Sequence, residues 1–107
     1  MDFPFDTVLF KRAISNGNIL WRKHALEKMI TRGISRDEVI NVMQDGEVIR
    51  QYFEDRPFPS ALVLGFPGNR PIHVVVSFDE TTEQIFIITA YQPDLTIFEL
   101  DFKTKKN

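Results

Sequence analysis

Hydrophobic residues recur at helical spacing in the first part of the chain and follow a strand-like pattern in the second. The first helical pattern begins after Asp6, a residue type that caps helix N-termini, and contains Val8, Leu9, Ala13 and Ile14. The polar run SNGN that follows predicts the end of this helix. The next piece, NILWR, is short and apolar, and its pattern fits either a strand or an extended lead into the next helix.

A second helix is predicted by the segment KHALEKMITRG. It should end at Gly33, because glycine adopts the left-handed backbone conformation that follows a last helical turn. At about 100° per residue, Leu26, Met29 and Ile30 gather on one side of this helix. We expect these three side chains to pack against a sheet.

A third helix is predicted from about Arg36 to Asp45. The preceding segment SRDE is a capping box, in which Ser35 accepts from the backbone N–H of Glu38 and the Glu38 carboxylate accepts from the backbone of Ser35. Apolar side chains at helical spacing follow, and Gly46 ends the pattern.

Four strands are predicted after this helix. EVIRQYFE and SALVLGF are separated by RPFP, the turn signal PGNRP follows, and the almost continuously apolar runs IHVVVSFD and QIFIITAY flank ETTE. Continuous apolar runs are typical of central strands that are covered by helices. The predicted fold is therefore α+β, with N-terminal helices packed on a four-stranded antiparallel sheet in a two-layer sandwich.

Composition supports one domain over residues 1–107. With 107 residues, 43% of them hydrophobic and ten phenylalanines, the chain can bury one core. It has no cysteine, so disulfides and thiolate metal sites are excluded. Neither a membrane-spanning apolar run nor a secretory leader is evident, and we expect a cytoplasmic protein with no membrane partner.

The charge pattern argues against a broad phosphate-binding surface, because such surfaces usually carry a basic excess and the net charge here is −2. Basic residues are nonetheless uneven, which leaves room for a local basic patch. They cluster near the second helix and in the last residues of the chain: Arg22, Lys23, Lys28, Arg32, Arg36, Lys103, Lys105 and Lys106.

The polar face of the second helix carries the candidate chemistry. His24, Glu27, Lys28, Thr31 and Arg32 gather opposite the apolar face. Such a row is usually a solvated helix face, and the alternative is a functional site. Histidine is the side chain that most readily takes or gives a proton near neutral pH, which makes His24 the first candidate.

Metal and phosphate-loop sites are not predicted. The two histidines lie almost fifty residues apart, with no metal-ligand spacing between them. The segment GFPGNR resembles a hairpin turn, rather than the strand-to-helix loop that cradles phosphates. We expect neither a metal nor a cofactor.

Order and spacing of several segments resemble a bacterial family, domain of unknown function 4258. The segments are HALEKMITRGIS, GEVIRQYFEDRPFPSALVLG, RPIHVVV and ITAYQPDLTIFELDF. The family pattern is roughly H-A-x-x-R-M-x-x-R-G-I, then G-x-V-I, P-x-H-V-V and V-T-x-Y-x-P, and the resemblance covers residues 18–103. One departure is Lys28, where the family often has arginine; lysine offers a point charge instead of a bidentate fork.

This family is, more distantly, similar to the RelE-like toxins and related small ribonucleases. The resemblance implies a metal-independent ribonuclease in which the ribose 2′-OH attacks the adjacent phosphate, with RNA or the ribosome and a protein antitoxin as partners. Such chemistry needs an acid, a base and cationic groups. The residues implied are catalytic His24, Arg32 and Tyr91, and substrate-binding Lys28, His73 and Thr89.

Each candidate also has a structural interpretation. Arg32 can stabilise the negative end of its helix, His73 can be a hydrogen-bonded structural histidine, and Tyr91 can cover a sheet edge. For the whole protein, the competing function is a non-enzymatic protein-binding module. The acidic pI near 5.6 favours this competitor, because lysine and arginine strengthen RNA binding.

Overall fold

A computed structural model describes all 107 residues. It contains three helices, five strands and one 3-10 turn at Pro67–Asn69. The helices are α1 Thr7–Ser15, α2 Lys23–Arg32 and α3 Arg36–Asp45, and the strands are β1 Ile19–Trp21, β2 Glu47–Tyr52, β3 Ser60–Gly65, β4 Ile72–Asp79 and β5 Gln84–Tyr91. No helix is long and apolar enough to span a bilayer.

The helix ends follow the predicted signals. Asp6 accepts from the backbone N–H of Leu9 at 3.0 Å and so caps α1. Gly33 ends α2 in the left-handed conformation, with φ 67° and ψ 37°. The Ser35 and Glu38 capping box opens α3 with both of its hydrogen bonds formed. These three predictions are confirmed.

The sheet has five strands in the order β1-β5-β4-β3-β2, so the prediction of four antiparallel strands is wrong. β2 to β5 form the predicted antiparallel meander. The additional strand is β1, from the ambiguous NILWR segment, and it pairs in parallel with β5 through Ile19 with Ile85 and Trp21 with Ile87. The partner of β1 lies far along the chain, and a strand of three residues carries no periodic signal of its own.

All three helices cover one face of the sheet, which we call the inner face. Phe10, Ala13, Met29, Val39 and Met43 are buried against it. Burial of these apolar side chains supplies most of the driving force for folding.

One side chain expected in the core is exposed. Ile30 on α2 is 79% exposed, so its predicted packing against the sheet is wrong. Val8, which belongs to the helical pattern of α1, is 75% exposed. On α2 the inward positions belong to Ala25 and Met29, four residues apart, with Leu26 at their border. A helix as short as α2 buries only one narrow stripe, and Ile30 lies outside it.

The opposite, outer face of the sheet has no helix over it. It carries Ile49, Leu62 and Leu64, which form a second small apolar cluster with Phe102 packed against it. The segment after β5 therefore covers part of this face. β3 and β4 are buried along almost their whole length, whereas β5 alternates between buried and more exposed residues. The helix cover predicted for the last two strands is present on the inner face only, and the outer face is covered in part by irregular chain.

A bulge in β5 sets which side chains reach the outer face. Val75 pairs with Thr89 while Val76 pairs with Ile87, so Ile88 is an extra residue in the strand. Ala90 consequently returns to the inner face, where it is buried, and Thr89 and Tyr91 lie on the outer face. The bulge thus positions two of the candidate residues.

Candidate functional site at the end of β5

Arg32 connects α2 to the exposed edge of β5. β1 pairs with β5 only as far as Ile87, so the edge beyond it has no neighbouring strand. The Arg32 guanidinium donates to the Ala90 carbonyl at 2.9 Å and to the Thr89 hydroxyl at 3.2 Å. The last turn of α2 thereby holds a cation against the end of β5.

Tyr91 lies two residues beyond Thr89 and pairs with His73 across the β4–β5 ladder. The Tyr91 hydroxyl lies 3.3 Å from His73 Nδ1, and the two rings meet edge to face with centroids 5.3 Å apart. His73 is fully buried, more deeply than expected for a residue that contacts a substrate. It is therefore placed to orient Tyr91.

The hydrogen bonds of His73 define its tautomer. Its Nε2 lies 2.7 Å from the Phe102 carbonyl, which can only accept, so Nε2 carries a proton. Burial lowers the pKa of His73, while the bond to Phe102 opposes this shift and the positive charge of Arg50 adds to it. The neutral imidazole leaves Nδ1 as the acceptor for the Tyr91 hydroxyl.

The Tyr91 phenol keeps its proton at neutral pH. Burial raises its pKa and so does the nearby Tyr52, whereas the charges of Arg32 and Arg50 act in the opposite direction. A protonated phenol is a hydrogen-bond donor and a weak acid. Tyr91 and Arg32 together give the site one neutral donor and one permanent cation.

A cavity of about 280 Å³ opens beside Tyr91. Tyr52 from the end of β2 forms another wall, and Leu62, Ile97 and Phe98 form the apolar floor and side. Polar side chains also line it: Gln92, Asp94 and Lys105. This is the concave surface nearest to the candidate residues on β5.

His24 and Lys28 lie outside this group. Both are exposed on α2, and no hydrogen bond or ion pair engages either side chain. At 1.5 Å per residue, His24 lies about 12 Å from Arg32 along the helix axis. The structure therefore brings together Arg32, Thr89, Tyr91 and His73, and leaves the other half of the predicted row facing solvent.

Comparison with known families agrees with the resemblance in sequence. The family model described as Domain of unknown function (DUF4258) matches residues 21–92 of the chain, about two thirds of its length. The chain belongs to the DUF4258 family. Among curated proteins and solved structures, none matches the chain significantly.

The DUF4258 match runs from Trp21, the last residue of β1, to the residue after Tyr91, so it includes Arg32, His73 and Thr89. It ends before the segment that closes the cavity, which contains Asp94, Ile97 and Phe98. α1 also lies outside the match.

Sequence reasoning missed Tyr52 and the cavity wall from residues 94–105. Tyr52 stands at the end of a predicted strand, where an aromatic residue is common and carries no specific signal. The wall segment has no helical or alternating pattern. Its turns depend on Asp94 and Asp101, whose side chains accept from backbone N–H groups two or three residues later. Aspartate commonly forms such turns, so these two turns could have been predicted from the sequence.

Proposed function

We propose that this protein is a metal-independent endoribonuclease with a RelE-like architecture. The observation that carries the proposal is the placement of the Arg32 guanidinium beside Thr89, next to a Tyr91 hydroxyl that retains its proton. A cation and a neutral donor at one end of a strand suit a phosphodiester, whose charge grows in the transition state.

The proposed reaction needs no cofactor. His24 takes the proton from the ribose 2′-OH, and the resulting oxygen attacks phosphorus to form a 2′,3′-cyclic phosphate. The bond to the 5′-oxygen breaks, and this oxygen leaves with the proton of Tyr91, whose hydroxyl turns from His73 Nδ1 to the leaving oxygen. His24 then releases its proton to water and the tyrosinate takes a proton from water, so both groups return to their starting states, while Arg32 neutralises the phosphate charge.

The spacing along α2 fits an extended substrate. Because His24 is about 12 Å from Arg32 along the axis, the bound RNA has to lie along the exposed row, with Lys28 between the two ends. In the transition state the attacking 2′-oxygen and the leaving 5′-oxygen flank one phosphorus, so His24 and Tyr91 act together only if the start of α2 and the end of β5 move closer when RNA binds. Arg32 stays at Thr89 and Ala90 in this arrangement.

The decisive test is cleavage of RNA by the purified protein with and without a chelator. Cleavage that persists with chelator and leaves 2′,3′-cyclic ends supports the proposal. Loss of cleavage on chelation contradicts the metal-independent mechanism, and failure on both naked RNA and ribosome-bound message contradicts the ribonuclease function itself.

A second candidate function is a protein-binding module, and the exposure of Ile30 favours it. Ile30 is 79% exposed and lines, with Leu26 and Ile34, a groove of about 210 Å³ between α2 and α3. Exposed apolar surface of this kind often marks a contact with another protein. A protein antitoxin bound in this groove would make the ribonuclease and the protein-binding function compatible. Healthy growth of bacteria that overexpress the chain favours the protein-binding module without ribonuclease activity.

A further inference from the structure

The cavity beside Tyr91 has the walls of a site for a flat aromatic ligand. Tyr52 and Tyr91 both line it, and they lie close enough for the Tyr52 hydroxyl to raise the pKa of Tyr91. Leu62 and Phe98 are buried behind them. Aromatic and apolar walls around a few polar groups are typical of nucleobase sites, because every base presents a π-face for stacking.

The wall from the C-terminal segment is held in place by backbone hydrogen bonds. The backbone N–H groups of Ile97 and Phe98 both donate to the Asp94 carbonyl at 2.9 Å, and Lys106 donates to the Ile97 carbonyl at 2.8 Å. A bridge between Phe98 and Lys105 closes this turn. The cavity is therefore preformed, which lowers the entropic cost of binding a ligand.

The polar groups at the cavity select among ligands. Asp94 accepts from the backbone N–H of Thr96 at 2.8 Å, which uses only part of the acceptor capacity of a carboxylate. The same bond lowers the pKa of Asp94, so the group is anionic at neutral pH. Lys105 adds a positive charge at the same cavity.

A carboxylate matches the Watson–Crick edge of guanine better than that of the other bases. Guanine presents adjacent N1–H and N2–H donors, whereas adenine and cytosine each place a ring acceptor beside their amino group. That edge is free only when the base is unpaired, as in single-stranded RNA. Lys105 then suits the phosphate of the same nucleotide.

From this arrangement we propose that the cavity is a nucleobase pocket that takes one unpaired guanine of a single-stranded RNA. Stacking on Tyr52 and Tyr91 supplies affinity, and Asp94 supplies the preference for guanine. The identity of the RNA as substrate rests on the proposed ribonuclease function, but binding to the pocket does not require cleavage.

The experiment is a titration of the isotopically labelled protein with each of the four nucleoside 5′-monophosphates, followed by NMR. Guanosine monophosphate should shift the resonances of Tyr52, Tyr91 and Ile97 more strongly than the other three nucleotides do. Tyr52→Leu should weaken its binding at least about fivefold, the lower end of what one lost stacking contact costs. Tyr52→Phe, which keeps the ring, should bind like the unmodified protein.

Matched variants separate stacking from recognition. Asp94→Asn still accepts from Thr96 but has no charge, and it should reduce the preference for guanosine over the other nucleotides. Phe53→Leu removes the neighbouring aromatic side chain, which is 56% exposed and does not line the cavity, and should have no effect. Unchanged amide spectra of the free variants verify that each one folds.

The outcomes distinguish the pocket from the nuclease. Nucleotide binding at the cavity without RNA cleavage supports the pocket and contradicts the proposed function. Two results together overturn the pocket while the ribonuclease function stands. The first is RNA cleavage whose KM and sequence preference do not change in Tyr52→Leu. The second is that no nucleotide shifts the resonances of the cavity residues. Guanosine monophosphate binding that Tyr52→Leu does not weaken also overturns the proposed pocket.

Discussion

His73 is a buried residue whose protonation is coupled to the fold. Its pKa is lowered from the ordinary 6.5, chiefly by burial, so the unfolded chain binds a proton in a pH range where the folded protein does not. Its contribution to stability is therefore complete above pH 6.5 and is lost as the pH falls from 6.5 toward the lowered pKa.

We accordingly expect the melting temperature to fall between pH 7 and pH 5, in a buffer series measured by circular dichroism. His73→Gln, which cannot titrate, should have a flatter dependence, although its overall stability will be lower. His24→Gln, at the exposed histidine, is the control and should keep the unmodified slope. Equal slopes in all three proteins would show that His73 is not the titrating group.

His24 and Arg32 should have different kinetic effects if the protein is a ribonuclease. His24→Ala should lower the cleavage rate at least about 100-fold with little change in stability, because a positioned acid or base contributes about 10²- to 10⁴-fold. The measurement is single-turnover cleavage together with thermal melting. Full activity in His24→Ala would remove this histidine from the mechanism.

Arg32→Ala should act mainly on binding. Losing one phosphate contact should reduce the slope of log affinity against log salt by about one unit, without moving the pH profile. Lys28→Ala on the same face is the matched comparison. If Arg32→Ala leaves the salt slope unchanged, the guanidinium serves only to hold the β5 edge at Thr89 and Ala90.

At the scale of secondary structure, the two faces of α2 can be tested at adjacent positions. Met29 is 2% exposed and Ile30 is 79% exposed. Met29→Asp buries an unpaired carboxylate and should cost several kcal/mol, whereas Ile30→Asp and Lys28→Asp should each change stability by less than about 0.5 kcal/mol. Chemical denaturation of the three variants measures this, and similar midpoints would contradict the assignment of Met29 to the buried face.

The contact between α3 and β3 depends on a missing side chain. A Cβ at Gly46 would lie 2.4 Å from the Val42 carbonyl oxygen and 2.6 Å from that of Leu64, and neither backbone atom can move away cheaply. Gly46→Ala should therefore destabilise the protein by about 1–3 kcal/mol. Gly17→Ala is the comparison. A Cβ at this position would meet no atom within 4 Å, and the only cost is the strain of alanine at a φ of 68°, so this variant should be less damaging.

Local sequence signals predicted where the helices end, but they did not predict the strand β1 or its pairing partner. Gly33 and Ser35 could be assigned because caps depend on neighbouring residues. β1 could not be assigned, because a strand this short is stabilised by pairing with distant Ile85 and Ile87. The face of Ile30 was mistaken because helical spacing alone does not say how wide the buried stripe is.

For the candidate site, residue types were predicted but not their grouping. His73 and Tyr91 meet because β4 and β5 are paired in one register, and Thr89 joins them because of the bulge at Ile88. Neither register nor bulge is encoded in local spacing. The row on α2 was expected to act together, yet only Arg32 reaches the sheet.

At the scale of the whole molecule, expression in bacteria tests the proposed toxicity. A ribonuclease acting on cellular RNA should arrest growth on induction and leave fragmented RNA, while His24→Ala at equal expression level should restore growth. Induction of Met29→Asp provides a control for an unfolded chain. Growth arrest by all three proteins would point to overexpression itself and contradict a catalytic cause.

The parallel pairing of β1 with β5 joins segments that are about 66 positions apart, Ile19 with Ile85. Contacts of such long range form slowly, because the intervening chain must first give up its freedom. During synthesis, the segment that carries His24 and Arg32 leaves the ribosome well before its partners Thr89 and Ala90 exist. A nascent chain therefore holds no assembled site, and any activity that depends on Arg32 at β5 begins only after the second half of the sheet has been translated.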